Sequence, residues 1–347
     1  MSEEQELERY RRELTGYAYR MLGSAFDAED AVQETMVRAW RALDGFEGRA
    51  GLRTWLYRIA TNVCLDMLAS RRRRALPIDL SPSSWQPVEA SLAGRRPAEA
   101  WVEPMPDERV LPETRDPAEL AAARDSVRLA FVAALQQLPP RQRAVLILRE
   151  VLRWTADEVA ELLGTTTASV NSALQRARAT MAPGGGPASG RCLDPLDDDT
   201  RALLARYVDA FQRYDMDSLV ALLHEDATQN MPPFEMWLRG RDDLVAWFTG
   251  PGHGCRGSRC RPLEVNGSPA FAQWRPAGDG WQRWGVHVLD VVDGRVAGIT
   301  TFLDTRLFDL FGLPRDPGSQ PRTSSPTGSS TSTWLAGGAS GQAQSGS

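Results

Sequence analysis

The stretch Trp154–Met181, WTADEVAELLGTTTASVNSALQRARATM, decides the fold of the middle of this chain, because it predicts two short helices around a tight turn. Thr155 followed three residues later by Glu158 is the pattern of a capping box at a helix start. Gly164 can take the left-handed conformation that ends that helix. In the second helix, apolar residues fall at the spacing of one buried face. The stretch therefore predicts a helix-turn-helix.

The outer face of the second helix carries hydrogen-bonding and cationic side chains, which are the residue types that read base edges and phosphates in a major groove. This pattern predicts DNA binding. A helical hairpin with a solvated basic face is the alternative that the pattern leaves open. The expected DNA-reading residues are Thr167, Ser169, Asn171, Ser172, Gln175, Arg176 and Arg178.

A second helical segment, residues 17–74, carries two different surfaces. Its first helix is expected to start with Asp27 as N-cap and to present an acidic, amide-bearing face that suits a basic protein partner, although a solvated face is also consistent with such charge. The buried stripe of this helix is predicted to be Ala31, Val32, Met36 and Trp40.

The next helix, within RTWLYRIATNVCLD at 53–66, combines arginines, a hydroxyl, an aromatic ring and an amide on one face. Such a face suits the phosphates and unstacked bases of single-stranded DNA. Trp55 lies on the apolar stripe and is expected in the core. Tyr57 is equally consistent with the core and with a DNA contact.

In this order and spacing, the segments resemble an extracytoplasmic-function (group 4) sigma factor of the sigma-70 family. DAEDAVQET at 27–35 resembles the region 2 helix that binds the β′ clamp helices of core RNA polymerase. RTWLYRIATNVCLD resembles the helix that opens and reads the −10 element of promoter DNA. LPPRQRAVLILRE at 138–150, with the helix-turn-helix, resembles region 4, which reads the −35 element and touches the polymerase β flap.

The resemblance implies two further sets of contact residues. In the first set, the residues that contact polymerase are Asp27, Glu29, Asp30, Gln33, Glu34 and Arg38. In the second set, the residues that contact −10 DNA are Gly48, Arg49, Ala50, Arg53, Thr54, Arg58, Asn62, Arg71, Arg72, Arg73 and Arg74. Asn171 and Ala173 stand where many relatives carry arginine, which predicts a weaker grip on −35 phosphates.

Composition divides the chain into helical regions, linkers and a third domain. Residues 76–116 are rich in Pro, Ser, Ala and acidic residues, which predicts a flexible linker with Trp85 and Trp101 as anchors. The expected division is region 2 at 1–75, this linker at 76–116, region 4 at 117–181, a second linker at 182–197, a third domain at 198–315 and a disordered tail at 316–347.

The third domain starts with helices and continues with four β-rich runs, which predicts an α+β unit with an antiparallel sheet. YVDAFQRYDMDSLVALLHEDAT at 207–228 and GRVAGITTFLD at 294–304 resemble a SnoaL-like domain of the NTF2-like superfamily. The resemblance implies a cone whose mouth often holds a small apolar ligand. The expected fold is therefore multidomain, with all-α regions 2 and 4 before the α+β cone, as in actinobacterial sigma factors of the SigG and SigJ type.

Two roles of this cone stay open: a pocket that holds a small-molecule ligand, and a domain that only regulates by packing on regions 2 and 4. We predict no catalytic residue and no cofactor. HGCRGSRC at 253–260 raises the alternatives of zinc or a redox switch, but its spacing matches no strong zinc pattern, so no metal is predicted. The expected pocket residues are Tyr207, Phe211, His224, Trp237, Trp274, Trp284, His287 and Asp290.

The 347-residue chain has a net charge of −5, which is unusual for a protein that binds DNA alone. It shows no apolar stretch of membrane-spanning length and no leading signal segment, so we predict a cytoplasmic protein without a membrane partner. The expected function is promoter-specific transcription initiation with core RNA polymerase, modulated by the cone domain. Two alternatives stay open: a helix-turn-helix repressor, and a cyclase or isomerase with a DNA-binding appendage.

Overall fold

The computed structural model describes residues 3–46, 48, 51–70, 73–181 and 198–318. Several predictions lie outside these residues. They are Arg49, Ala50, Arg71 and Arg72 of the −10 set, the second linker, and the tail from residue 319 onward.

The N-terminal bundle is built from helices whose ends follow local capping rules. Helix α3 starts one turn earlier than predicted, because Ser24 is its N-cap and accepts the Asp27 N–H at 3.1 Å. Helix α2 ends at Gly23, which has a φ of +69°. The helices are α1 Glu3–Glu8, α2 Arg11–Leu22, α3 Ala25–Ala42 and α4 Leu52–Ala69.

The second helical unit contains the predicted helix-turn-helix. Thr155 and Glu158 form the capping box of α9, and Gly164 ends that helix with a φ of +60°, so the predicted caps are confirmed. A short helix, α5 Asp107–Val110, lies before this unit, within 76–116. The helices of the unit are α6 Pro117–Asp125, α7 Leu129–Gln136, α8 Pro140–Leu146 with a π turn at Ile147–Val151, α9 Ala156–Leu163 and α10 Thr167–Met181.

The C-terminal domain has the predicted α+β architecture, but its sheet is mixed. The strand order is β2-β1-β6-β5-β4-β3, and β1 pairs with β6 in parallel while the other pairs are antiparallel. The elements are α11 Asp198–Arg213, α12 Met216–Ala221, β1 Leu223–Asn230, β2 Trp237–Arg239, α13 Arg241–Thr249, β3 Arg259–Val265, β4 Ser268–Ala277, β5 Gly280–Val292, β6 Arg295–Phe302 and α14 Arg306–Leu310.

The two faces of this sheet belong to different cores. Phe271 and Leu289 point toward α11 and α13 and form the interior of the cone. Ala272, Trp274 and Val288 point the other way and join the hydrophobic core of the two helical units. This alternation follows from the pleat of the strands, in which successive side chains point to opposite faces. The C-terminal domain therefore completes the core of regions 2 and 4.

Residues 76–116 follow a packed path, although their composition predicts a flexible linker. The Trp85 N–H donates to the Trp237 carbonyl at 2.8 Å, so this segment covers the edge strand β2. Trp101 is only 2% exposed. The segment remains ordered because its partners lie in distant parts of the chain, which composition does not reveal.

Candidate nucleic-acid and polymerase interfaces and the C-terminal cavity

The face of α3 predicted to bind polymerase is mostly exposed. Asp30, Gln33, Glu34 and Arg38 lie on the surface, and Arg38 Nε donates to Glu34 Oε1 at 2.7 Å. Glu29 is half-buried and forms an ion pair with Arg109 of the packed segment. These residues offer a continuous polar surface to a partner.

Trp40 departs from the prediction that it belongs to the buried stripe of α3. Its side chain is 66% exposed, whereas Ala31 and Val32 are buried. Helical spacing alone cannot distinguish a residue of the core from an apolar residue on a surface that binds another protein. Large exposed aromatic side chains are enriched where proteins bind one another, so Trp40 extends the candidate polymerase face.

The predicted −10 helix, α4, is partly covered by region 4. Tyr57 is buried, and its ring centroid lies 5.0 Å from that of Trp154, just before α9. Arg53 lies over both rings and donates from Nε to Glu13 Oε1 at 2.7 Å. Tyr57 is therefore a core residue in this arrangement, and Trp55 is partly buried against Phe46.

Two further arginines of the −10 set contact region 4. Arg58 Nη2 lies 3.6 Å from Glu161 Oε1, and Arg73 Nη1 donates to Gln137 Oε1 at 2.7 Å. Asn62 is exposed and Thr54 is half-buried. The cationic side of α4 thus faces the protein's own helix-turn-helix.

Arg74 has a different position from its predicted role on DNA. Its side chain is 6% exposed, and Nη2 lies 2.7 Å from Asp27 Oδ2, while Nη1 donates to the Trp101 carbonyl at 2.6 Å. Asp27, predicted to contact polymerase, is likewise buried by this pair. Both side chains hold region 2 against the packed segment 76–116.

The face of α10 that is predicted to read the −35 element has the orientation expected from the sequence. Val170 and Leu174 are buried, and Thr167 is half-buried with its hydroxyl donating to Asp157 Oδ1 at 2.7 Å. Arg178 forms an ion pair with Glu150. The remaining members of the set are exposed: Ser169, Asn171, Ser172, Gln175 and Arg176.

The β3–β4 turn is a junction that sequence reasoning missed. Asn266 is buried, and its Nδ2 donates to Tyr19 Oη of region 2 at 2.7 Å and to the Val127 carbonyl at 2.6 Å. Its Oδ1 accepts the Met105 N–H at 2.9 Å. The Asn-Gly dipeptide was a turn signal, but nothing local indicated its partners. One side chain therefore joins three segments.

Gly267 lets this turn enter the junction. Its φ is +61°, and a Cβ there would lie 2.9 Å from the Arg124 carbonyl oxygen, so any larger residue would collide with region 4. Its N–H donates to Asp107 Oδ1 at 2.8 Å.

A cavity of about 410 Å³ lies between the sheet, α13 and the packed segment. Of the predicted pocket residues, Phe211, Trp284 and His287 line it. Sequence reasoning missed Arg275 and Gln229, which also line it, because the pattern of β4 and β1 gave no sign of their direction.

The other predicted pocket residues lie elsewhere. Trp274 and Asp290 are on the opposite face of the sheet, toward the helical units. Tyr207 is buried beneath the cavity against Phe271. Trp237 lies under the packed segment, with Nε1 donating to the Ser81 carbonyl at 3.2 Å. His224 is at the start of β1, where its Nδ1 accepts the Asp226 N–H at 3.3 Å.

His287 is held in a complete hydrogen-bond network. Its Nε2 lies 2.7 Å from Gln273 Oε1, and its Nδ1 lies 2.9 Å from Thr301 Oγ1. Gln273 Nε2 donates to Ser258, so its Oε1 is the acceptor for His287. Burial lowers the pKa of His287 to about 3. The ring is therefore neutral, which suits a structural residue better than a general acid.

The cysteines of the C-terminal domain are free thiols. Cys255 Sγ accepts from Arg275 at 2.9 Å, and Cys260 lies in β3. Within the described residues, no cluster of His, Cys, Asp and Glu could hold a metal ion. In the same part of the chain, no helix has the length and apolar character needed to span a membrane.

Family models match all three units of the chain. The model described as Sigma-70 region 2 matches residues 7–74, and that described as Sigma-70, region 4 matches residues 128–181. A SnoaL-like domain model matches residues 204–299.

Two curated relatives align along most of the chain. The chain is 29% identical over 338 residues to the ECF RNA polymerase sigma factor SigJ of Mycobacterium tuberculosis, covering 93% of this chain and 96% of that protein. The fold is similar to the crystal structure of M. tuberculosis SigJ, with a TM-score of 0.59 and 23% identity over 90% of this chain and 99% of that one. The chain is 48% identical over 309 residues to the ECF RNA polymerase sigma factor SigG of the same organism, covering 88% of this chain and 82% of that protein. The chain therefore belongs to the extracytoplasmic-function RNA polymerase sigma factor family, in a form that contains a SnoaL-like domain.

Proposed function

We propose that this protein binds core RNA polymerase and directs promoter-specific transcription initiation, and that its C-terminal domain restrains this activity. In this proposal, α3 binds the β′ clamp helices, α4 opens and reads the −10 element, and α10 reads the −35 element while region 4 touches the β flap. Such a protein works in the cytoplasm, where its polymerase and promoter DNA are.

One observation carries the proposal of restraint: the −10 helix is covered while the other two surfaces are open. Arg53, Tyr57 and Arg58 of α4 contact Trp154 or Glu161 of region 4. Single-stranded DNA needs these arginines for its phosphates and an accessible aromatic or amide face for its bases. Region 4 must therefore move away from α4 before the −10 element can bind.

The C-terminal domain supports this closed arrangement, in which region 4 covers α4. Asn266 bonds region 2 and region 4 at once, and the sheet face containing Trp274 fills their shared core. An interaction present only in the closed arrangement shifts the equilibrium toward it. The domain thereby performs the restraining role within one chain.

Run-off transcription with core RNA polymerase and a genomic promoter library tests the proposal. Wild-type protein is expected to give promoter-specific transcripts, and Asn266→Gly is expected to give more, because it loses the junction bonds but tolerates the backbone of the turn. Asp293→Gly is the matched control, since Asp293 has a φ of +50° in the exposed β5–β6 turn. Asn62→Ala should reduce transcripts from all promoters.

If neither wild type nor Asn266→Gly gives transcripts while both still bind DNA, the proposed sigma function is contradicted and the repressor alternative is supported. Equal yields from wild type, Asn266→Gly and Asp293→Gly would remove the restraint alone. The enzyme alternative is disfavoured by His287, whose two ring nitrogens are already bonded.

A further inference from the structure

The described wall of the C-terminal cavity carries an excess of positive charge. Three arginines, Arg95, Arg275 and Arg283, line it, and its described wall contains no carboxylate. Arg283 is neutralised by Asp309, which its Nη1 approaches to 2.7 Å. Arg95 and Arg275 form no ion pair with any described residue. Two uncompensated cations thus face the same space.

Arg275 is fixed in place but not fully bonded. Its guanidinium lies over the Trp284 ring at 3.4 Å from the centroid, and Nη2 donates to Cys255 Sγ. A thiol is a weak acceptor, and the buried Nε has no partner among the described residues. A guanidinium presents five N–H donors that match a carboxylate. The site is therefore prepared for an anion.

Gln229 is a second polar residue of the cavity whose hydrogen bonding a ligand would complete. It lines the cavity, is 3% exposed, and its Oε1 has no hydrogen-bond partner among the described residues. A buried acceptor without a partner is costly, and most buried polar groups in proteins are bonded. A ligand with a hydroxyl or N–H donor would satisfy it.

Most of the remaining wall is apolar. Phe211, Phe234, Trp247 and Phe248 are among its aromatic residues. A cavity of about 410 Å³ falls within the size range of small-molecule sites. The occupant that fits this lining has a flat apolar body.

We propose that this cavity binds a small, mainly apolar carboxylate that also carries a hydrogen-bond donor. Arg275 and Arg95 bind the carboxylate of the ligand, Gln229 Oε1 accepts a hydrogen bond from its donor group, and the aromatic side chains pack against its apolar part. Leu92 and Arg95 belong to the packed segment 76–116, so the ligand contacts both that segment and the cone. Resting on the restraint proposed above, we expect the ligand to favour the closed arrangement, because it ties the segment that connects regions 2 and 4 to the cone.

Isothermal titration calorimetry of the full-length protein with 6-hydroxy-2-naphthoate and with the uncharged 6-hydroxy-2-naphthamide tests the site. The acid is expected to bind about tenfold more tightly, as for a hydrogen bond to a charged group. Arg275→Gln and the exposed Arg95→Gln should each reduce this preference. Arg256→Gln, an exposed arginine over Tyr214 outside the cavity wall, should retain it.

Equal affinities for acid and amide, no binding of either, or an unchanged preference in both cavity variants would overturn the site. Run-off transcription separates this result from the sigma function. If the protein directs transcription but does not prefer the acid, only the proposed ligand site is contradicted. If it prefers the acid but never directs transcription, only the proposed sigma function is contradicted. In an active protein, the acid should lower transcript yield, and an unchanged yield would refute the link to the closed arrangement.

Discussion

Asn266 Nδ2 donates to Tyr19 Oη at 2.7 Å, which joins residues 247 positions apart in the chain. The same amide donates to the Val127 carbonyl, just before α7 of region 4. Tyr19 Oη in turn donates to the Glu103 carbonyl at 2.8 Å. Region 2, region 4 and the segment between them thus depend on one hairpin turn.

Removing the Asn266 side chain is expected to destabilise the whole protein. Asn266→Gly should lower the free energy of unfolding by about 1–3 kcal/mol, because buried partners lose their bonds. Asn266→Ala should cost more, since its φ of +55° disfavours a residue with a Cβ. Urea denaturation measures both. Asp293→Gly serves as the control, and an Asn266→Gly protein as stable as wild type would contradict the junction.

Reversing one charge at the interface between α4 and α9 should open the closed arrangement. Glu161→Arg places a cation beside Arg58, which lies 3.6 Å from the native carboxylate. Electron-spin distance measurements between labels at the exposed Gln33 and Ala179 should show a longer mean separation. Glu119→Arg, an equal charge change on exposed residues of α6, should leave the distance unchanged. Identical distances in both variants would argue against repulsion as the opening force.

Neighbouring arginines at 73 and 74 should behave differently. Arg74→Gln removes the buried cation that lies beside both Asp27 and Glu103 and should cost about 3–5 kcal/mol. Arg73→Gln removes only an exposed contact and should cost under about 1 kcal/mol. Thermal unfolding compares them. Similar melting temperatures would return Arg74 to the DNA-binding set.

Asp107 should make stability depend on pH. Burial raises its pKa from 3.8 to about 6, so the folded protein holds this proton more tightly than the unfolded chain does. Its contribution to the free energy of unfolding therefore falls as pH rises from about 4 to about 6, by up to about 3 kcal/mol, and is constant above that. Asp107→Asn can still accept the Gly267 N–H and should lack this dependence. Urea denaturation of both proteins across this range gives the difference, and parallel pH profiles would contradict it.

Trp40 should matter for polymerase and not for folding. Because 66% of its surface is exposed, Trp40→Ala should change the free energy of unfolding by less than about 0.5 kcal/mol. Affinity for core RNA polymerase should fall about tenfold, as for aromatic residues central to an interface. Fluorescence anisotropy with labelled protein measures this affinity. Val88→Ala, another exposed apolar change, is the control, and equal affinities of the two variants would exclude Trp40 from the interface.

The features that the sequence predicted correctly depend on local chemistry. Thr155 and Glu158 satisfy each other's helix-start groups within one turn, so their capping box is readable from four residues. The alternation of side chains along a strand is also a local rule. His287 and Asp290 are three residues apart, which is an odd number, so they point to opposite sides of a regular strand. That parity would have excluded Asp290 from a pocket containing His287, whereas Trp284, also three residues from His287, lines the cavity because the register between β4 and β5 shifts beside it.

The features that were missed depend on distant partners. The segment 76–116 has the composition of a linker, yet the Ile78 N–H donates to Asn230 Oδ1, 152 positions later. Trp40 has the spacing of a core residue, but 66% of its surface is exposed. Burial of Arg74 requires two carboxylates that only the folded chain brings together. Such pairings follow from topology, which residue patterns do not specify.

The sheet whose two faces serve different cores has a consequence for how this protein can change during evolution. Substitutions at Trp274 or Val288 must suit the helical units, while their strand neighbours must suit the cone. Deleting the domain would leave regions 2 and 4 with an uncovered apolar patch. The C-terminal domain and the regions that it covers must therefore change together. A descendant that lacked this domain would first need polar residues on the exposed face of regions 2 and 4.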